Sequence, residues 1–190
     1  MRLVLVGPPG AGKGTQAQFL ASHFSIPHIS TGDIFRANLK AGTELGKQAQ
    51  TFMDRGELVP DSVTNEMVKD RLTHDDAANG FILDGFPRNV AQAEVLRAIL
   101  AEKKTPLHAV LEFSAPDAEI IARLLQRAVI EKRVDDQEDV IKRRLEVYAE
   151  QTAPIVSFYR NEGLLISITA VGKIEDITAS AISALSRLAQ

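Results

Sequence analysis

Nine residues near the start of the chain, GPPGAGKGT from Gly7 to Thr15, combine four glycines with one lysine. Glycines let the backbone curl until successive N–H groups point inward, and a helix starting there adds its positive N-terminal end to that anion cradle. Lys13 then supplies a mobile charge that reaches the β- and γ-phosphates of a nucleoside triphosphate. The stretch nearly spells G-x-x-x-x-G-K-[ST], with Gly7, Gly12 and Lys13 in place, but position 14 is glycine and the hydroxyl arrives one residue late, at Thr15. The Ser or Thr of that pattern ordinarily ligates Mg²⁺. With Gly14 there, the metal must rest on nucleotide, water and carboxylates elsewhere, with Thr15 available as a further oxygen; this suits an ion that dehydrates reluctantly. Asp84, closing the apolar run FILD, is the first such carboxylate, its alternative role being a cap for the turn DGFPR.

These residues need a scaffold, and its pattern is visible. The runs RLVLVG (2–7), GFILDG (80–85), HAVLEF (108–113) and LLISIT (164–169) are short and continuously apolar, as strands buried on both faces of a parallel sheet read. IPHIS (26–30) is a shorter fifth candidate. Between them lie amphipathic stretches at 13–24, 61–73, 89–103, 116–128, 137–160 and 174–189. In 116–128, Ile120, Ile121, Leu124, Leu125 and Ala128 recur at helical spacing. Pro154 is expected to break 137–160 into two helices, with Thr152 as N-cap of the second. Strand–helix alternation implies right-handed crossovers and a helix-covered sheet. Parallel strands bring their C-terminal ends to one crevice, so Asp84 faces the glycine loop. Residues 30–60 and 127–136 depart from the alternation, which makes them lobes on one core.

Composition bounds the rest. A chain of 190 residues, 45% hydrophobic and 25% charged, is of ordinary single-domain size and globular character. The absence of cysteine excludes disulfides and thiolate metal sites. No apolar run approaches the ~18 residues of a membrane span, and no signal peptide precedes the first strand, so the expectation is a cytoplasmic protein with no membrane partner. A net charge of −3 argues against a nucleic-acid-seeking surface; any polyanion must be held by locally gathered cations. No exposed apolar stripe stands out, which leaves a monomer as the expectation.

Four motifs together, GPPGAGKGTQ, STGDIFR, GFILDGFPRN and RVDDQEDVIKRRLEVY, resemble those of bacterial adenylate kinases of the nucleoside monophosphate kinase family, in order and spacing and over essentially the whole chain. The resemblance implies an α/β fold: a five-stranded parallel sheet with helices on both faces. It also implies a single domain spanning 1–190, with a monophosphate-binding lobe at 30–59 and a lid at 126–136 inserted. The lid is of the short kind, since the zinc-carrying long lid uses cysteines. The implied reaction is Mg·ATP + AMP ⇌ 2 ADP. The implied ATP contacts are Gly10, Ala11, Gly12, Lys13, Gly14, Thr15, Arg127 and Gly172. The implied AMP contacts are Thr31, Arg36, Met53, Glu57, Leu58, Val59, Gly85, Phe86, Pro87, Arg88 and Gln92. Arg133 and Arg144 match arginines that close over the phosphates, and Arg123 matches one at the lid base. Short lids of the family often read G-R-x-D-D, whereas here Lys132 precedes Arg133, and AVIEK (128–132) extends the preceding helix.

The residue chemistry is consistent with those roles. ATP and AMP together carry roughly five to six negative charges near neutral pH. Lys13, Arg36, Arg88, Arg123, Arg127, Arg133 and Arg144 can meet them, and arginine's planar fork grips phosphate oxygens better than lysine does. The acidic DDQED (135–139) between Arg133 and Arg144 is read as the cap of the next helix. The histidines His23, His28, His74 and His108 lie outside the motifs and are read as structural or surface groups. No general base is needed, because a phosphate monoester with its second pKa near 6 is already ionised. Gln92 can donate and accept along an adenine edge. Met53 serves either the core or the ring slot. Asp33 either assists Mg²⁺ through water or N-caps a helix starting at Ile34. Competing functions are a UMP/CMP kinase and a P-loop ATPase or switch; Thr31 and Gln92 discriminate the first, the arginine set the second.

Overall fold

The computed structural model describes residues 1–131 and 133–189, so the expectation resting on Lys132 lies outside the described residues. Five strands, β1 (Arg2–Val6), β2 (His28–Ser30), β3 (Phe81–Asp84), β4 (Ala109–Ser114) and β5 (Leu165–Thr169), form one parallel sheet in the order β2-β3-β1-β4-β5. All five expected strands are present, each within two residues of its expected bounds. Side chains alternate across a strand, so Val4 and Val6 enter one core with Leu83, Val110, Leu96 and Ile155. Leu3 and Leu5 enter the other with Ile82, Leu111, Phe113, Leu20 and Ala181. Leu3, Val4, Leu5 and Val6 are each at most 2% exposed. This double burial is why the strands read as unbroken apolar runs.

Helices α1 (Lys13–Phe24) and α9 (Ile174–Ser186) cover one face, and α4 (Asp61–Arg71), α5 (Val90–Glu102) and α8 (Pro154–Asn161) the other. Between β2 and α4 stand α2 (Thr31–Lys40) and α3 (Glu44–Met53), with a small core of their own around Phe35, Ala49 and Val59. The two helices pack so closely that a Cβ on Gly46 would lie 2.3 Å from the Asn38 backbone, which only glycine permits. Helix α6 (Asp117–Glu131) runs on through the AVIE stretch, as expected; of its apolar stripe only Ile120 and Leu124 are buried, while Ile121 and Leu125 are exposed. A short 3₁₀ turn, Val134–Asp136, leads into α7 (Glu138–Val147).

Two capping expectations are corrected. Thr152 is not an N-cap: the chain stays helical from α7 into α8 through a π turn, Tyr148–Thr152, with Ala153 N–H donating to Tyr148 O at 2.8 Å. The expected division into two α-helices stands: Pro154, with no N–H to offer, opens α8, and the wider turn between α7 and α8 absorbs the mismatch. Thr152 Oγ1 instead donates to Arg88 O at 2.8 Å. Asp33 is not an N-cap either, because α2 starts three residues earlier than Ile34; Ser30 is the cap and accepts from Asp33 N–H at 3.2 Å.

Candidate active site

The strand order reverses at β1, whose neighbours β3 and β4 lead away to opposite sides, and a crevice opens there at the strand C-termini. Into it projects the loop between β1 and α1. Gly10 has φ +84° and a Cβ there would meet Ile120 O at 2.8 Å, so the loop can lie against α6 only with glycine at this position. Gly12 is the N-cap of α1 and offers no side chain to its first N–H groups, which leaves them free for an anion. Lys13 Nζ arches over the loop, donating to Gly7 O at 2.7 Å and Pro8 O at 2.9 Å. Packing inside the loop pushes its pKa down to about 8, against the opposing pull of Asp84.

The cleft has a volume of about 840 Å³, large enough for two nucleotides' polar ends to meet. Its walls include every residue from Gly10 to Thr15, together with Thr31, Asp33, Arg36, Met53, Glu57, Leu58, Val59, Asp84, Gly85, Arg88, Gln92, Arg123, Arg127, Arg133, Arg144 and Gly172. Of the candidate residues only two fall outside it. Phe86 is fully buried in the core beneath the sheet, and Pro87 borders a smaller adjoining cavity behind Lys13.

The cations are held in set positions. Arg88 Nε donates to Gly85 O at 2.9 Å, and burial together with the neighbouring charge of Arg144 pushes its pKa down to about 10. Arg123 donates to Ala170 O at 2.8 Å and pairs with Glu119. Arg133 pairs with Glu131. Arg36 bonds Asp33 at 2.6 Å and stands 3.8 Å from Asp135. Arg127 grips Asp136 through Nε at 2.6 Å and Nη2 at 2.7 Å, while Arg144 Nη1 reaches the same carboxylate at 2.6 Å and Asp135 O at 2.8 Å. Burial alone would raise the pKa of Asp136, but the hydrogen bonds and charges of Arg127 and Arg144 hold it below its ordinary value. Asp135 and Asp136 are thus arginine partners, 6% and 1% exposed, and not helix caps. Only Glu138 and Asp139 of the acidic run occupy the first turn of α7. The pairing escaped the sequence reading because acids beside a helix start have a local role ready to hand.

His28 also departs from expectation. It lines the cleft, and its Nε2 lies 3.6 Å from Asp84 Oδ2, beyond hydrogen-bond length and with no other partner among the described residues. The register of β2 on β3 explains this: His28 pairs with Ile82 and Ser30 with Asp84, so His28 and Asp84 lie on one face, one step apart. Burial would raise the Asp84 pKa; His28 and the charges of Lys13 and Arg88 more than offset this and keep it a carboxylate.

No group of three or more His, Cys, Asp or Glu suited to enclosing a metal occurs among the described residues. What is present fits a hydrated ion brought in by a polyphosphate: one ionised carboxylate at a strand end, facing Gly14, whose missing Cβ would stand 3.7 Å from Asp84 Oδ2.

A phosphate loop, a convergent arginine set and a second wall built by α2 and α3 describe a nucleotide phosphotransferase. The adenylate kinase family model matches residues 5–164. The chain belongs to the adenylate kinase family. Curated relatives named adenylate kinase include one from Thermobifida fusca, 63% identical over 185 residues, covering 97% of this chain and 98% of the relative. Another from Kocuria rhizophila is 52% identical over 186 residues, covering 98% and 99%. One from Rhodococcus erythropolis is 50% identical over 187 residues, covering 98% and 100%. Adenylate kinases are ATP:AMP phosphotransferases, and the parallel five-stranded α/β sheet is that family's fold. Among the described residues no helix is long and apolar enough to cross a membrane.

Proposed function

We propose that the chain transfers the γ-phosphoryl group of Mg·ATP to AMP, giving two ADP, with each residue in the role its chemistry suits. ATP phosphates lie in the loop Gly10–Thr15 under Lys13, with Arg123, Arg127 and Gly172 along the adenosine side. AMP lies against Thr31, Met53, Leu58, Val59 and Gln92, its phosphate drawn to Arg36 and Arg88. The backbone at Glu57 and Gly85 borders the same pocket. Arg133 and Arg144 face the junction where the phosphates meet. Asp84 and Asp33, both on the cleft wall, would hold Mg²⁺ through water, and the ion would neutralise charge on the transferring phosphates.

One observation carries this reading: Arg36, Arg88, Arg127, Arg144 and Lys13 all line a single cleft. An acceptor that is itself an ionised phosphate needs positioning and charge neutralisation rather than deprotonation, and positioned arginines supply both. The one histidine on the cleft wall stands against Asp84 rather than in the path between the substrates. Transfer is direct, with no covalent intermediate. The lobes 30–59 and 126–136 close over the nucleotides and expel water, so that ATP is not hydrolysed before AMP arrives. All the residues proposed for the site come from this one chain, which supports a monomer, and its substrates support a cytoplasmic setting.

A coupled assay with Mg·ATP and each of AMP, CMP, UMP and GMP tests the proposal. ADP formation with AMP far above the others is expected. Hydrolysis of ATP equally fast without an acceptor refutes it.

A further inference from the structure

Gln92 is 1% exposed, and both ends of its amide are engaged inside the protein. Its Oε1 accepts from Arg88 N–H at 2.7 Å, and its Nε2 donates to Asp61 Oδ1 at 2.7 Å. Amide nitrogen and oxygen look alike in shape, but their neighbours here leave one assignment. An ionised carboxylate only accepts, so the end facing Asp61 must be the NH₂; a backbone N–H only donates, so the end facing Arg88 must be the oxygen. Asp61 is itself held. It sits in the first turn of α4, and Asn89 Nδ2 donates to its two oxygens at 3.0 and 3.1 Å. Asn89 Oδ1 in turn caps α5 by accepting from Gln92 N–H at 2.8 Å. Gln92, Asp61 and Asn89 thus form a ring closed through the Gln92 backbone N–H, and of the three Gln92 is the one that lines the cleft.

After these bonds Gln92 retains one N–H and one oxygen lone pair. Adenine offers a donor at its 6-amino group beside an acceptor ring nitrogen, the complement of an amide in one orientation. A 6-oxo purine reverses both, offering an acceptor at O6 and a donor at N1, and is matched only by the amide turned over. Turning Gln92 over would set its oxygen against the Asp61 carboxylate and its NH₂ against the Arg88 N–H.

We propose that Asp61 is a specificity-determining residue that never touches the substrate: it locks the orientation of Gln92 and so rejects 6-oxo purine monophosphates. The proposal rests on the reading above in which Gln92 faces the AMP base. Removing the carboxylate withdraws one of the two groups that orient the amide, because water in its place donates or accepts equally well, and leaves the Arg88 N–H as the one remaining bar to the turned form.

The test measures kcat/KM for AMP and for inosine 5′-monophosphate, its 6-oxo counterpart, in wild type, Asp61→Ala, Asp61→Asn and Gln92→Leu, with thermal unfolding as the check on folding. The expected result is at least a tenfold fall in the AMP:inosine-monophosphate ratio for Asp61→Ala. For Asp61→Asn, which offers either a carbonyl or an NH₂, a fall of at least threefold is expected, and this variant carries the test if alanine impairs folding. A purely structural role would lower both substrates together and leave the ratio within twofold, which overturns the proposal. If Gln92→Leu leaves the ratio intact, the amide does not read the base, and the underlying reading fails along with the proposal. If Gln92→Leu collapses the ratio while both Asp61 variants keep it, only the lock is refuted.

Discussion

Replacing Asp136 by asparagine keeps its shape and removes its charge, which makes it a direct probe of the arginine cluster. In the structure this carboxylate accepts three charge-assisted hydrogen bonds, two from Arg127 at 2.6 and 2.7 Å and one from Arg144 at 2.6 Å. Breaking a buried ion pair from one side costs about 3–5 kcal/mol, because the remaining charge stays desolvated. Arg127 and Arg144 keep 25% and 18% of their side-chain surface, and Asp135 remains 3.3 Å from Arg144, so the lower end applies, about 3 kcal/mol. For a chain of this size that corresponds to a fall in Tm of roughly 6–12 °C at neutral pH. Calorimetry across pH adds a second constraint. Because the folded pKa of Asp136 is depressed, its contribution is complete above the unfolded value of about 3.9 and is lost as pH falls through the folded value. The gap between wild type and variant should therefore hold from neutral pH down to about pH 5 and shrink as the pH drops below about 4. A variant melting within 2 °C of wild type at neutral pH would refute the reasoning, as would a gap indifferent to acid.

Three further outcomes are expected. Arg88→Ala should lower turnover at least ~100-fold with the fold intact by circular dichroism, since on the proposed reading it removes a guanidinium that holds the AMP phosphate; near-normal activity removes Arg88 from the site. Lys13 must be an ammonium to hold phosphate, and its pKa is lowered to about 8, so the KM for ATP should be flat below pH 7.5 and rise toward tenfold per pH unit above pH ~8; a flat profile to pH 9.5 contradicts the assignment. Thr152→Val deletes the donor on Arg88 O and leaves that carbonyl unpaired, which should cost about 1–3 kcal/mol in thermal unfolding and raise the KM for AMP; an unchanged Tm shows the 2.8 Å bond to be dispensable.

Residues that act through continuous backbone were legible from the sequence. The loop from Gly7 to Thr15 folds by its own glycines, and apolar runs such as RLVLV announce burial on both sheet faces wherever they stand. Contacts that depend on strand register or helix packing were not. The sequence places His28 outside the motifs, as a structural or surface group, and the pairing of β2 with β3 is what sets it beside Asp84. Asp135 and Asp136 were read as caps until the 3₁₀ turn folded them back on Arg127 and Arg144. Phe86 follows Gly85 directly, yet it turns into the core while its neighbours line the cleft.

The sequence by itself determined that this chain cradles a polyphosphate, on a parallel sheet, with more arginine than an ordinary surface needs and with glycine where a metal-binding hydroxyl usually stands. Only the tertiary structure decided which carboxylate each arginine answers to, and that Gln92 presents its amide in one orientation. The longest of those pairings joins Arg36 to Asp135, 99 positions away, and no local spacing encodes it or the bond from Gln92 to Asp61. They follow from how α4, α5 and α8 seat against one face of the sheet and how the turn Val134–Asp136 folds between α6 and α7, where a displacement of an ångström would undo each bond.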